Sequence, residues 1–554
     1  MSDLANETQI IKTSDIVKHT KYKMPGGIHP EEYKTLSNQS PIRILSKANQ
    51  LTIALSNSSH LNGELQVKIG EVICKGQTLF ASSEESMTNN THSPCNGKVL
   101  SIDKLNTGHP SGLPLAAIRI EQAIKQNSDT EKQRSHQNNQ QNESWVNISP
   151  QDIINRIHRA GIVGLGGAAF PTHIKLKTSL GKVGTLIVNA MECEPYITCD
   201  DKLLQEKSSE ILQGALITAK AVGAIKILFG IEDNKPEAIN CLKKSISNLI
   251  DSNLNNHDNK NYTLPKIEIV IAKTKYPSGG EKQLIQLLTG LEVPQGKYPA
   301  ELGMLVQNVA TLYAINQAIN HNENLTQRLV TITGDSVPQP GNYWIQFGTP
   351  IFHIIESLKI DCHNISHAVF GGPLMGNAIS DFNVPTQKST NCIIFDSNKK
   401  LINNNREASH SACIRCGECE FVCPVSLLPQ QLFWFSQSEQ WEQLEKQDLF
   451  DCIECGACTY VCPSKIPLVG YYRYAKSEIK YLNTKHKKSE LAKKRFENRE
   501  NRLARIKAER EEKRKKTAEA RKLAAQNKEQ DPDGKKSAIQ AALDRVKNKK
   551  EEQS

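Results

Sequence analysis

Eight of the fifteen cysteines fall into two copies of one spacing: Cys413, Cys416, Cys419, Cys423-Pro424, and then Cys452, Cys455, Cys458, Cys462-Pro463. The pattern is C-x2-C-x2-C-x3-C-P, repeated at an offset of 39 residues. Two residues between successive cysteines let a tight loop turn several sulfurs and backbone N–H groups onto one cube of iron and sulfide. The run is one that holds two 4Fe–4S clusters, the fourth thiolate of each run crossing to the other cluster. Cys413, Cys416 and Cys419 are therefore expected to pair with Cys462, and Cys452, Cys455 and Cys458 with Cys423. Gly417 and Gly456 keep side chains off the clusters, and each Pro turns the chain at the end of its run. Structural zinc would need four ligands in two C-x2-C pairs rather than eight in two quartets, and disulfides are the other competing reading. One-electron transfer is the chemistry these runs predict.

A chain of 554 residues can form three or four domains with separate cores. No N-terminal stretch combines a basic flank with an apolar centre, and the longest apolar run, from Ala215 to Ile231, contains Lys220 and Lys226. A cytoplasmic location is expected, in keeping with thiolates that need a reducing compartment. The net charge of +10 is local: residues 476–554 carry 26 Lys and Arg against 14 Asp and Glu, leaving −2 for the rest. The body of the chain is thus not built to bind nucleic acid. The basic tail suits anionic lipid, an acidic protein partner or RNA.

Residues Pro41 to Glu121 alternate short β-rich runs with Gly and polar turns, a pattern similar to the barrel-sandwich hybrid of biotinyl and lipoyl carriers. Gln126 to Ser144 has nothing apolar to bury and reads as a linker. Apolar strands at Thr185 to Val188, Lys226 to Phe229 and Ile267 to Ala272 then alternate with helical patterns, which predicts an α/β domain with a largely parallel sheet. Arg328 to Phe395 returns to β-rich segments between glycine turns. Between the cysteine runs, Leu432, Phe433, Phe435, Trp441 and Leu444 predict a helix over Gln430 to Gln447 that packs on the clusters. Ser489 to Lys528 reads as a solvated charged helix, broken at Asp531-Pro532-Asp533-Gly534, with a second helix from Ser537 to Lys547. The expected fold is α/β and β multidomain: a β domain at 1–123, a linker at 124–147, an α/β domain at 148–325, a β module at 326–400, a cluster domain at 401–475 and a charged helical tail at 476–554.

The α/β domain opens on Gly161-Ile-Val-Gly-Leu-Gly-Gly-Ala-Ala-Phe-Pro-Thr-His-Ile-Lys175. Four glycines within seven residues let a backbone approach a phosphate or a flat ring, and a following helix start favours an anion. Gly164-x-Gly166-x-x-Ala169 satisfies a relaxed dinucleotide fingerprint, a weak signal alone. In order, Gly164 to Pro171, Asn189-Ala-Met-Glu-Cys-Glu-Pro195, Pro277-Ser-Gly-Gly-Glu281 and Gln307-Asn308-Val-Ala-Thr311 resemble the NADH- and FMN-binding subunit of respiratory complex I. With Gly26-Gly-Ile-His-Pro30 ahead and two cluster runs behind, residues 20 to 480 most resemble the C subunit of the Rnf/Rsx ion-translocating electron-transport complex.

The resemblance implies that Gly164, Gly166, Gly167 and Lys175 cradle the FMN phosphate and ring edge, that Asn189, Glu281, Asn308 and Thr311 complete the pocket, and that Phe170 lies against the cofactor. Glu192 and Glu194 fall where acidic residues face the flavin and the nicotinamide nucleotide, and are the candidate catalytic pair. It further implies a β-grasp module at 326–400 and a peripheral subunit on the cytoplasmic face of the bacterial inner membrane. That subunit would pass electrons between NADH and membrane partner subunits. The chain departs from the complex I pattern at Leu165, where an Arg stands, and at Gly280, where a second Glu stands. Those departures keep a flavin-less relay exchanging electrons with ferredoxin as an alternative, and a soluble dehydrogenase component as a third. Cys74, Cys95, Cys193, Cys199, Cys241, Cys362 and Cys392 have no ligand spacing.

Overall fold

The computed structural model describes residues 16–55, 62–108, 113–123, 144–255, 263–397, 410–529 and 532–551. The expected linker, residues 124–147, lies outside them except for its last four residues. The chain divides into two compact units, Met1–Arg473 and Tyr474–Ser554.

The first unit is centred on a sheet of five strands, all parallel. In chain order its elements are β1 (Val17–His19), α1 (Pro150–Arg159), α2 (Thr172–Ser179), β2 (Thr185–Ala190), α3 (Cys199–Val222), β3 (Lys226–Glu232), α4 (Pro236–Asn255), β4 (Lys266–Ala272), α5 (Glu281–Thr289), β5 (Met304–Asn308) and α6 (Val309–Asn320). The strand order is β1-β4-β3-β2-β5. Strands β2 to β5 are nearly continuous runs of Ile, Leu, Val and Phe because helices bury both faces of the sheet. Helices α3 and α6 cross closely at Gly214, where a Cβ would lie 1.9 Å from the Leu312 carbonyl oxygen.

Ahead of this domain, two antiparallel sheets enclose a core of Leu51, Ile53, Leu79, Phe80, Val99, Ile118 and Ile120, the barrel-sandwich arrangement expected there. One sheet orders Gln50–Ala54, Leu115–Gln122, Gly97–Leu105 and Val72–Ile73; the other orders Gly63–Leu65, Thr78–Ser82 and Thr91–His92. Two segments assigned by sequence to 1–123 lie elsewhere. Val17–His19 is the edge strand beside β4, and Arg43–Ile44 joins a six-stranded sheet further along the chain. Strands of two or three residues are too short to leave a periodicity to read, although side chains such as Lys18 on Glu268 and Arg43 over the Tyr343 ring help seat them.

That six-stranded sheet has Gln327–Thr333 near its middle, antiparallel to Gly341–Gln346 and parallel to Cys392–Asp396, which in turn pairs with His367–Phe370. Helix Ile351–Ser357 supplies Ile351, Ile354 and Ile355 to its core. In the cluster domain the expected single helix is two, Pro429–Gln437 and Trp441–Lys446, because Glu439 adopts a φ of 55° between them.

The second unit is helical in its described residues. The helix that begins at Leu468 runs to Glu529, and a second spans Pro532–Glu551 with Pro532 in the first position, where its missing N–H costs nothing. Every described side chain from Lys480 onward is exposed, and pairs such as Glu512 with Lys516 (2.7 Å) support the turns. Among the described residues no helix is long and apolar enough to cross a membrane.

Candidate functional site

In an open parallel sheet, ligands settle beyond the carboxyl ends of strands where the strand order reverses. Here that point lies between β2 and β5. Near the carboxyl ends of the two strands, Asn189 of β2 and Asn308, the last residue of β5, are register partners. Asn189 donates to the Gly279 carbonyl (2.9 Å) and accepts from the Met191 N–H (3.1 Å). Asn308 caps α6 by accepting from the Ala310 N–H (2.9 Å), and its amide donates to Asp200 (2.6 Å).

A cavity of about 740 Å³ opens there, within the size range of cofactor sites. Of the residues expected around FMN, it is lined by Gly166, Gly167, Asn189, Glu192, Glu194, Glu281 and Asn308. Gly167 sits at a φ of 124°, a conformation side chains resist, and a Cβ there would meet no protein atom. The first residues of α5, Glu281 to Gln283, also face the cavity, as does Asn308, the capping residue of α6, so the start of α5 offers partial positive charge to a phosphate. An open glycine backbone, paired amide side chains and a helix start suit a phosphorylated flat ring.

Four expected residues do not line this cavity. Thr311 is fully buried and accepts from the Leu165 N–H (2.9 Å), pinning the glycine loop from behind. Lys175 donates to Glu281 (2.5 Å) and to the Val306 carbonyl (2.8 Å). The Gly164 N–H is taken by the Phe170 carbonyl (2.8 Å), which closes the loop, and the Phe170 ring stands exposed. Leu165, the departure from the Arg pattern, turns its side chain into the core, while buried Arg328 donates to the Leu165 carbonyl (2.9 Å).

The acidic pair is engaged by backbone. Glu192 accepts from the N–H groups of Asp200 (2.7 Å) and Asp201 (3.3 Å), capping α3. Burial pushes its carboxyl up to about 7, against the opposing pull of Lys34. Glu194 accepts from the Leu374 and Met375 N–H groups (3.0 and 2.8 Å), and burial raises it as well. Gly372 leaves room for that contact, since a Cβ there would lie 2.3 Å from the Glu194 carboxyl carbon. Burial also pushes the Cys193 thiol up to about 12, which removes it as a nucleophile.

The two cysteine runs repeat one backbone path. Arg415 and Glu454 share a φ near 56°, Gly417 and Gly456 are both left-handed, and Ser426 and Lys465 match again. One cavity is lined by Cys452, Cys455, Cys458 and Cys423; another by Cys413, Cys416, Cys419 and Cys462. Four cysteines line each, and N–H groups of Leu427 and Glu454 approach the Cys423 and Cys452 sulfurs at 3.3 and 3.4 Å, a donor set that fits a cubane. Leu432 lines the first cavity and Phe433 the second.

The first of these cavities adjoins the large one. Ile453 lines both, the Tyr276 hydroxyl donates to the Cys455 carbonyl (2.6 Å), and Gly456 lies against the Leu374 carbonyl. Lys34, Asp200, Tyr276 and Arg328 were not anticipated from sequence, because each is a single polar residue whose partners are far along the chain.

Three family descriptions match: an RnfC barrel sandwich hybrid domain over residues 22–125, a Nuo51 FMN-binding domain over 157–317, and a 4Fe–4S dicluster domain over 409–466. A protein from Yersinia enterocolitica, named as the C subunit of an ion-translocating oxidoreductase complex, is 43% identical over 475 residues, covering 85% of this chain and 64% of that protein. Proteins of the same name from Edwardsiella ictaluri and Yersinia pestis are each 42% identical, covering 87% of this chain and 57% and 73% of their own. The chain therefore spans between 57% and 73% of the length of these relatives.

Proposed function

This chain belongs to the family of C subunits of ion-translocating oxidoreductase complexes, and on that premise we propose that it takes a hydride from NADH at FMN and relays single electrons through two 4Fe–4S clusters to membrane partner subunits. The reading rests on one observation above the others. The cavity suited to FMN and the cysteine cavity at Cys452, Cys455, Cys458 and Cys423 share a wall, Ile453, with Tyr276 bridging to Cys455. The order of transfer would then be flavin cavity, the Cys452 to Cys458 site, and the Cys413 to Cys419 site, where Cys416 is exposed to a partner.

FMN would convert the hydride's electron pair into single electrons. Each remaining role falls to this chain. Gly166 to Ala168 and the start of α5 receive the phosphorylated ring, and Asn189 and Asn308 fix the pocket edge. Glu192 holds or yields a proton near neutral pH beside the cavity. Glu194 grips the Leu374 and Met375 backbone, and Leu374 lies against Gly456 on the side of the nearer cluster site. Lys175 acts through Glu281 rather than on the cofactor directly. The flavin-less alternative rested on Leu165 and Gly280; Leu165 faces the core, so an Arg absent there leaves the cavity's lining intact. We read the sheet within 326–400 as the β-grasp module, and the assembled protein as peripheral on the cytoplasmic face of the inner membrane.

Cys423→Ser tests the order of transfer. NADH should still bleach the flavin, while reduction of the cluster at Cys413, Cys416 and Cys419, followed by electron paramagnetic resonance, should stop. Reduction of that cluster at the wild-type rate would refute the proposed path.

A further inference from the structure

The cavity wall that carries Glu192, Cys193 and Glu194 is a connecting segment between β2 and α3, and such a segment needs something behind it. Lys34 stands there. Its side chain is buried, and its ammonium donates to the carbonyl oxygens of Glu192 (2.6 Å), Glu194 (3.0 Å) and Ile197 (2.7 Å). Three donors meet three acceptors, so the buried charge has its hydrogen bonds satisfied while drawing one turn of backbone around itself.

Neighbours of Lys34 grip the same segment. The Tyr33 ring stacks on Tyr196 with centroids 4.7 Å apart, the Tyr196 N–H donates to the Glu32 carbonyl (2.8 Å), and the hydroxyls of Ser37 and Thr198 meet at 2.7 Å. A few residues earlier the chain is fixed to the cluster domain. The Gly27 N–H donates to the Val422 carbonyl (2.8 Å), a Cβ on Gly26 would lie 2.4 Å from the Cys423 carbonyl oxygen, and Ile28 pairs with Tyr276.

We propose that residues 26–37 are a strap that sets the flavin cavity against the nearer cluster site, and that Lys34 is its positioning residue, holding the Glu192 to Ile197 wall in its cavity-lining form. The proposal rests on the reading of that cavity as the FMN site. Lys34 touches no part of the cavity itself and acts only through the wall.

The same ammonium biases the charge of the wall. Glu192 faces Lys34 from the strap, Cys199, Asp200 and Asp201 from the first turn of α3, and Lys235 from the turn before α4. Lys34 is the largest influence opposing the burial that raises Glu192, so its removal leaves the carboxyl harder to ionise.

The test uses the full chain with Lys34→Met, which keeps the length and apolar stem, and Lys34→Arg, which keeps the charge. FMN affinity is read from flavin fluorescence quenching, and Glu192 titration from the pH dependence of the urea unfolding midpoint. The Met variant should bind FMN about tenfold more weakly and move the inflection near pH 7 upward, while Arg restores the inflection. Affinity within about twofold of wild type, or an unmoved inflection, overturns the proposal. If the Met variant does not fold, Lys34→Gln must shift the inflection in the same direction, and an unshifted inflection overturns it equally. A wild-type chain that binds no FMN would refute the reading of the cavity, and the inflection would still decide the role of Lys34.

Discussion

Glu192→Gln isolates a carboxyl that the fold holds near neutral. Glu192 is 7% exposed, and burial raises it from the ordinary 4.5 to about 7, with Lys34 and Lys235 opposing and Asp200 and Asp201 reinforcing. At about 1.4 kcal/mol for each tenfold change in proton affinity, that difference amounts to about 3 kcal/mol. The sign follows from which state holds the proton. The unfolded chain releases it near 4.5 and the folded chain near 7, so between those values the folded state binds more protons and stability falls as pH rises. The stabilisation is complete below 4.5 and gone above 7. Gln resembles the protonated acid in shape and can still accept an N–H at the start of α3, so at pH 5 variant and wild type should unfold at similar urea concentrations. At pH 8 the variant should be the more stable by up to about 3 kcal/mol. Trp145 and Trp344 pack against the central core, so tryptophan fluorescence reports the transition. A difference between variant and wild type that stays constant from pH 5 to pH 8 would refute the role given to burial.

Other outcomes follow from the same geometry. Cys462→Ser should remove the cluster at Cys413, Cys416 and Cys419, lowering iron from about eight to about four per chain; loss of the other cluster's resonance instead would undo the crossed assignment. Gly167→Val should cut FMN content at least tenfold, measured on the purified protein, because valine resists a φ of 124° by about 1–2 kcal/mol or more and projects into the cavity. Deletion after Lys480 should leave FMN and iron content unchanged by chemical assay, since every described side chain beyond it is exposed.

The two cysteine quartets were legible because cluster ligation demands sulfur at fixed intervals, and the parallel sheet because strands covered on both faces must be apolar along their whole length. Asn189 and Asn308 were found through resemblance, and the register of β2 with β5 supplies the physical reason for their pairing. What could not be read was long-range backbone work by single polar side chains. Lys34 lies 158 residues before the first carbonyl it binds, within a segment whose spacing says nothing about it. Thr311 and Lys175 come from the motifs that build the cavity yet support it from outside, because spacing along the chain does not distinguish a lining residue from its buttress. Glu192 fell on an acidic position and also caps α3, a role set by where β2 ends rather than by its own neighbours in sequence.

One chain joining a flavin site to two clusters is the central claim, and anaerobic titration of the purified full chain with NADH tests it most directly. About one FMN and about eight irons per chain are expected, with bleaching of the flavin absorbance by NADH and the appearance of reduced-cluster resonances in the same titration. About eight irons with no flavin, and no response to NADH, would contradict it.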